Sequence, residues 1–230
     1  MESPVIVALD YSSEAPVFDL VDQLSPELCR LKVGKELFTR CGPALVEQLQ
    51  KRGFEIFLDL KYYDIPNTVA NAVRAAADLG VWMVDVHAAG GRRMIEGAAD
   101  VLQSYAHRPK LIAVTVLTSM SDEDLREMGH TQTAQQRVCQ LAALAAEYGA
   151  DGVVCSGKET PILRQQQGAS FCLVTPGIRL AGDDAGDQRR VLTPSQAIDN
   201  GSDYLVIGRS ITAARSPIDA LQTIHAELSS

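Results

Sequence analysis

Ile56-Phe57-Leu58-Asp59-Leu60-Lys61-Tyr62-Tyr63-Asp64-Ile65-Pro66-Asn67-Thr68 carries an apolar run straight into three charged residues and then a proline. On a β-strand, Asp59 and Lys61 share one face, and Ile56, Leu58 and Leu60 share the other. Pro66 suits the first position of a helix. The charges therefore sit where a strand ends and a helix begins. In folds that alternate strands and helices, chemistry is placed at that junction.

The same strand–helix alternation runs along the whole chain. β-rich runs are expected at Pro4–Asp10, Cys29–Val33, Glu55–Leu60, Trp82–His87, Lys110–Leu117, Gly152–Cys155, Phe171–Thr175 and Tyr204–Ile207. Several are continuously apolar, as parallel strands covered on both faces should be. Helical patterns follow them. One begins at Pro66, with Val69, Ala72, Val73, Ala76 and Leu79 on a stripe and Gly80 as its stop. Another begins near Thr133, with Val138, Leu141, Leu144, Ala145 and Tyr148 inward and Gly149 as its stop. No linker or composition shift divides residues 1–230, so one domain is expected. Eight strand–helix units favour a (β/α)8 barrel, the TIM-barrel architecture, over an open doubly wound sheet. The stretch Ile178–Thr193 has no clear period, and a loop that long in a compact domain is usually functional.

Composition narrows the function. With 46% hydrophobic and 22% charged residues among 230, the chain has the balance of a soluble globular protein. A net charge of -8 argues against a broad nucleic-acid or anionic-membrane surface. A phosphate site would need a few basic groups gathered in one place. The five cysteines have no C-x-x-C spacing, which disfavours metal clusters and a disulfide framework and fits a reducing cytoplasm. Asp10 interrupts any signal-like segment at the start, and no apolar run approaches the ~20 residues of a membrane helix.

Polar residues recur at the carboxyl ends of the expected strands: Asp10, Lys32, Asp59 with Lys61, His87, Thr118, Ser156, and Gly208 with Arg209. That end of a barrel is its active-site face. Each residue also has a plainer reading. Asp10, in phase with Ile6 and Ala8, either points into the barrel mouth or caps the next helix. Lys32, between Leu31 and Val33, needs a partner if buried, and Asp59 is the natural one. Asp59, Lys61 and Asp64 form either a structural ion network or a catalytic array. Adjacent carboxylates favour an ammonium on Lys61, which makes it a general acid rather than a Schiff-base nucleophile. Gly208-Arg209-Ser210 reads as a phosphate-binding turn before a helix or as an ordinary turn with a surface arginine. Arg179 and Gln188, in the long loop, could reach the same anion. His87 closes Val84-Asp85-Val86-His87 and is assigned neither metal binding nor catalysis.

Taken in order, these residues are similar to a known family. The chain resembles bacterial orotidine 5'-monophosphate decarboxylases over essentially its whole length. The matches are Ala8-Leu9-Asp10, Leu31-Lys32-Val33-Gly34, Asp59-Leu60-Lys61 with Asp64-Ile65-Pro66-Asn67-Thr68, Val86-His87, Leu117-Thr118-Ser119, Thr175-Pro176-Gly177-Ile178-Arg179, Asp187-Gln188-Arg189-Arg190 and Ile207-Gly208-Arg209.

The resemblance implies a homodimer of barrels that makes UMP without metal or cofactor. Lys61 would be the proton donor within an array of Lys32, Asp59 and Lys61, completed by Asp64 from the other subunit. Asp10 and Lys32 would bind ribose hydroxyls, and Thr68 would also reach across the dimer. Thr118 would lie beside ribose and base, Ser156 near the pyrimidine, and Pro176 at the substrate. Gln188, Gly208 and Arg209 would hold the 5'-phosphate, with Arg179 on a closing loop. The alternatives are a magnesium-dependent sugar-phosphate decarboxylase or aldolase on a related barrel, and a nucleotide-binding protein without activity. The first of these carries Glu at the position of Lys32, so the lysine disfavours it.

Overall fold

The computed structural model describes residues 3–180 and 192–228. Eight parallel strands close into a barrel in chain order: β1 (Val5–Leu9), β2 (Arg30–Gly34), β3 (Ile56–Tyr62), β4 (Met83–His87), β5 (Lys110–Val114), β6 (Gly152–Val154), β7 (Cys172–Pro176) and β8 (Tyr204–Ile207), with β8 pairing back to β1. The α-helices between and after them are α1 (Glu14–Val21), α2 (Lys35–Lys51), α3 (Pro66–Asp78), α4 (Arg92–Leu102), α5 (Asp122–Glu127), α6 (Ala134–Glu147), α7 (Thr160–Gln167), α8 (Pro194–Asp199), α9 (Arg209–Thr212) and α10 (Pro217–Leu228). The closed barrel, not the open sheet, is the architecture.

Strand alternation divides the core into two layers. Val5, Val7, Leu9, Leu31, Val33, Ile56 and Leu58 pack outward against the helices. Ile6, Ala8, Phe57, Met83, Ile112, Val174 and Val206 fill the barrel interior. At the amino-terminal end of the barrel, buried Arg30 pairs with Glu55 at 2.7 Å and donates to the Ser3 carbonyl at 2.6 Å. Its guanidinium lies 4.2 Å from the Trp82 ring centroid and 5.4 Å from that of Tyr204. This stacked plug closes one end and leaves the carboxyl ends of the strands to form a cavity.

The helix signals act as expected. Thr133 caps α6 through a reciprocal box with Gln136, and Pro66 opens α3. Gly80 and Gly149, with φ of 74° and 92°, take the left-handed backbone that ends each helix. Two strand ends differ from expectation by more than one residue. β5 stops at Val114 rather than Leu117, so Val116, Leu117 and Thr118 are free to line the cavity. β3 runs two residues past Leu60 because a bulge lies between Leu58 and Tyr62.

Candidate active site

The carboxyl ends of the strands surround a cavity of about 650 Å³. Ala8, Phe57, Val114, Val154 and Val206 form apolar parts of its wall. Asp10, Lys32, Asp59, Lys61, Thr118, Pro176, Arg179, Gly208 and Arg209 bring polar groups to the same space. Residues from seven of the strand ends or the loops that follow them thus meet within one nucleotide-sized volume.

Lys32 and Asp59 are its buried charged centre. Lys32 Nζ lies 3.2 Å from Asp59 Oδ2 and 3.3 Å from Asp10 Oδ1. Lys61 Nζ contacts the other oxygen of Asp59, Oδ1. One carboxylate is therefore held between two ammonium groups. Burial alone would raise the Asp59 pKa, but the Lys32 charge, a hydrogen bond with Asp85 and the Lys61 charge outweigh it and hold the carboxyl well below its usual range. Burial would likewise lower Lys32, yet Asp59 and then Asp10 reverse the sign and leave it raised. Asp10 is not a helix cap: that position before α1 belongs to Ser13.

Lys61 reaches Asp59 by an irregular route. It has a φ of 51°, left-handed for a residue with a Cβ, and its backbone N–H donates to Asp85 Oδ1 at 2.7 Å. Strand periodicity foresees the shared face of Asp59 and Lys61 but not the kink that delivers it. Asp85 is fully buried, and the pattern of polar strand ends does not single it out. The signal was present: Val84 and Val86 belong to the outer layer and Met83 to the inner one, so Asp85 must point into the barrel. His87, beyond it, stacks on Tyr63 with ring centroids 5.7 Å apart, and burial, Lys35 and Lys61 lower its pKa.

Arg179 is buried beside the cavity. Its Nη1 donates to the Ile178 carbonyl at 2.9 Å, and its Nε lacks a hydrogen-bond partner among the described residues. The ends of the long loop are pinned together: Ile178 bridges Leu192, and the Arg179 N–H donates to the Leu192 carbonyl at 3.0 Å. Gln188 lies outside the described residues.

Three expected site residues stand apart from this cavity. The Ser156 Oγ accepts from the Lys158 N–H at 3.2 Å, and Val154, two residues earlier, forms the wall instead. Asp64 is exposed and accepts from the Ile65 N–H at 2.6 Å, without an ion pair to the array among the described residues. Thr68, at the start of α3, is exposed as well. Tyr63 and Ile65 flank Asp64 and are 63% and 67% exposed.

An enzyme-type (β/α)8 barrel is thus defined by its fold, with an alternating charge array and basic groups at the catalytic face. The chain belongs to the orotidine 5'-phosphate decarboxylase / HUMPS family, whose model matches residues 3–224. It is 61% identical over 226 residues to the orotidine 5'-phosphate decarboxylase of Hahella chejuensis, covering 98% of this chain and 97% of that protein. It is 60% identical over 224 residues to the enzyme of the same name from Alcanivorax borkumensis, covering 97% of each. A crystal structure of orotidine 5'-phosphate decarboxylase from Lactobacillus acidophilus superposes with a TM-score of 0.89 at 41% identity, over 99% of this chain and 100% of that one.

Proposed function

We propose that the chain, acting as one barrel domain over residues 1–230, decarboxylates orotidine 5'-monophosphate to UMP without a metal ion or organic cofactor. The observation that carries this reading is the Asp59 carboxylate held between Lys32 and Lys61 at the cavity wall. In the reaction the C6–carboxylate bond breaks, carbon dioxide leaves, and the electron pair stays on C6. That pair lies in the plane of the ring and cannot spread into its π system. Stabilisation must come from placed charge. The Lys61 ammonium supplies it and then transfers a proton from Nζ to C6. Asp59 faces the departing carboxylate and keeps both lysines in position.

The other roles follow the cavity wall, save that of Gln188, which lies outside the described residues and rests on the family resemblance. Asp10 and Lys32 bind the ribose hydroxyls. Thr118 borders ribose and base, and Pro176 contacts the substrate. Ser156, expected near the pyrimidine, is buried off the cavity wall, and Val154 takes that place. Gly208, Arg209 and Gln188 hold the 5'-phosphate. Arg179, whose buried Nε has no hydrogen-bond partner among the described residues, completes that anion site. Asp64 and Thr68 serve the site of a second subunit, a reading supported by their exposure beside Tyr63 and Ile65. Five free cysteines suit a cytoplasmic enzyme, and among the described residues no helix is long and apolar enough to cross a membrane.

The magnesium-dependent alternative is not supported. The Lys32 ammonium bridges Asp10 and Asp59, and a divalent cation among those oxygens would meet its charge. Following the ultraviolet absorbance of orotidine 5'-monophosphate tests the proposal. Wild-type protein should remove it and Lys61→Ala should not; a fully active Lys61→Ala protein would sink the mechanism.

A further inference from the structure

β3 and β4 fall out of step at the catalytic end of the barrel. Leu58 lies opposite Val84 and Tyr62 opposite Val86, so four steps along β3 match two along β4. The surplus stretch Asp59-Leu60-Lys61 faces Asp85. Lys61 is the one non-glycine residue with a positive φ among those described. Such a conformation persists only where its surroundings impose it. Here the Asp85 Oδ1 takes the place of a ladder carbonyl and accepts the Lys61 N–H at 2.7 Å.

The other oxygen of Asp85 is buried and has no hydrogen-bond partner among the described residues. Asp59 is the acid beside it. Two adjacent buried carboxylates cannot both ionise cheaply, and a proton on Oδ2 would turn the orphan acceptor into a donor to Asp59. Burial, and then the charge of Asp59, push Asp85 well above the usual carboxylate range, against a smaller opposing effect of Lys61. Asp59, Lys61 and Tyr62 of β3 are the ionisable groups facing it, and its register partner on β5 is the apolar Ile112.

We propose that Asp85 is a positioning residue for the proton donor. Its neutral carboxyl fixes the left-handed backbone of Lys61 through Oδ1 and the carboxylate of Asp59 through a hydroxyl on Oδ2. Both active members of the array are thereby aimed from behind by a group that does not touch the substrate. The inference rests on the reading of Lys61 as the acid.

Two variants test it in the full-length enzyme with orotidine 5'-monophosphate as substrate. Asp85→Asn keeps a carbonyl for Lys61 and offers an amide donor to Asp59, so kcat and KM should stay within about threefold of wild type. Asp85→Val removes both bonds, and kcat should fall about tenfold to hundredfold with KM changed less than about threefold, because a misplaced catalytic group costs rate rather than binding. UMP affinity should be unchanged in both. An Asp85→Val enzyme with wild-type kcat, or an Asp85→Asn enzyme as slow as Asp85→Val, overturns the proposal. Infrared spectroscopy of the folded wild type gives a readout independent of the valine variant. A protonated-carboxyl band at neutral pH that Asp85→Asn removes supports the neutral acid, and its absence overturns it. Wild-type protein inert toward orotidine 5'-monophosphate would defeat the reading of the site itself; an active wild type with an indifferent Asp85→Val variant defeats this inference alone.

Discussion

Lys32 Nζ and Asp59 Oδ2 lie 3.2 Å apart on adjacent strands, with their side chains only 10% and 11% exposed. Removing one partner of a buried pair costs about 3–5 kcal/mol where it strands the other charge, and without Lys32 the Asp59 carboxylate keeps only the more exposed Lys61. Lys32→Met should therefore lower the melting temperature markedly. Adding Asp59→Asn should recover much of that loss without restoring turnover. A double variant no more stable than Lys32→Met would show that the pair does not act as a unit.

The anion end of the cavity should behave differently. Arg209→Ala and Arg179→Ala each remove a charged donor worth about 1.5–3 kcal/mol, so each should raise KM about tenfold to hundredfold. A substrate lacking the 5'-phosphate should be almost indifferent to either change. Equal losses with and without the phosphate would place the arginines elsewhere in function.

Asp64 offers a test of subunit sharing. Asp64→Ala and Lys61→Ala should each be nearly inactive alone. Mixed under conditions that exchange subunits, they should form heterodimers with one intact site, restoring about a quarter of the sites after random pairing. No recovery despite demonstrated exchange would contradict a site built across the dimer.

Acid and neutral pH load the two buried acids with opposite sign. Asp59, held below its usual range, contributes stability that is full above the unfolded pKa of ~4 and is lost as pH falls through its folded value. Asp85 is raised, so the folded chain keeps a proton that the unfolded chain releases, and stability falls as pH rises from about 4. Asp85→Asn cannot ionise. Thermal melts should show the variant gaining on wild type from pH 4 to pH 7, with little difference at the acid end. A pH-independent difference would contradict the raised value.

The barrel was legible because its strands, covered on both faces, read as apolar runs such as Val5–Leu9 and Tyr204–Ile207. Period two pointed Asp10 into the mouth and set Asp59 and Lys61 on one face, and the need of a buried lysine for a partner tied Lys32 to Asp59. It could not foresee the bulge at Lys61, which depends on a side chain of the next strand rather than on local pattern. The strand-end pattern singles out His87 rather than Asp85, although the alternation of Val84 and Val86 points the acid inward. The early end of β5 at Val114 was hidden by the apolar Val116 and Leu117, which face the cavity instead of extending the strand.

The most direct measurement is turnover of orotidine 5'-monophosphate by the wild-type protein after exhaustive treatment with a metal chelator. The charge array predicts undiminished loss of substrate absorbance and stoichiometric UMP. Activity abolished by the chelator and restored by magnesium would contradict a reaction driven by Lys61 and its neighbours alone.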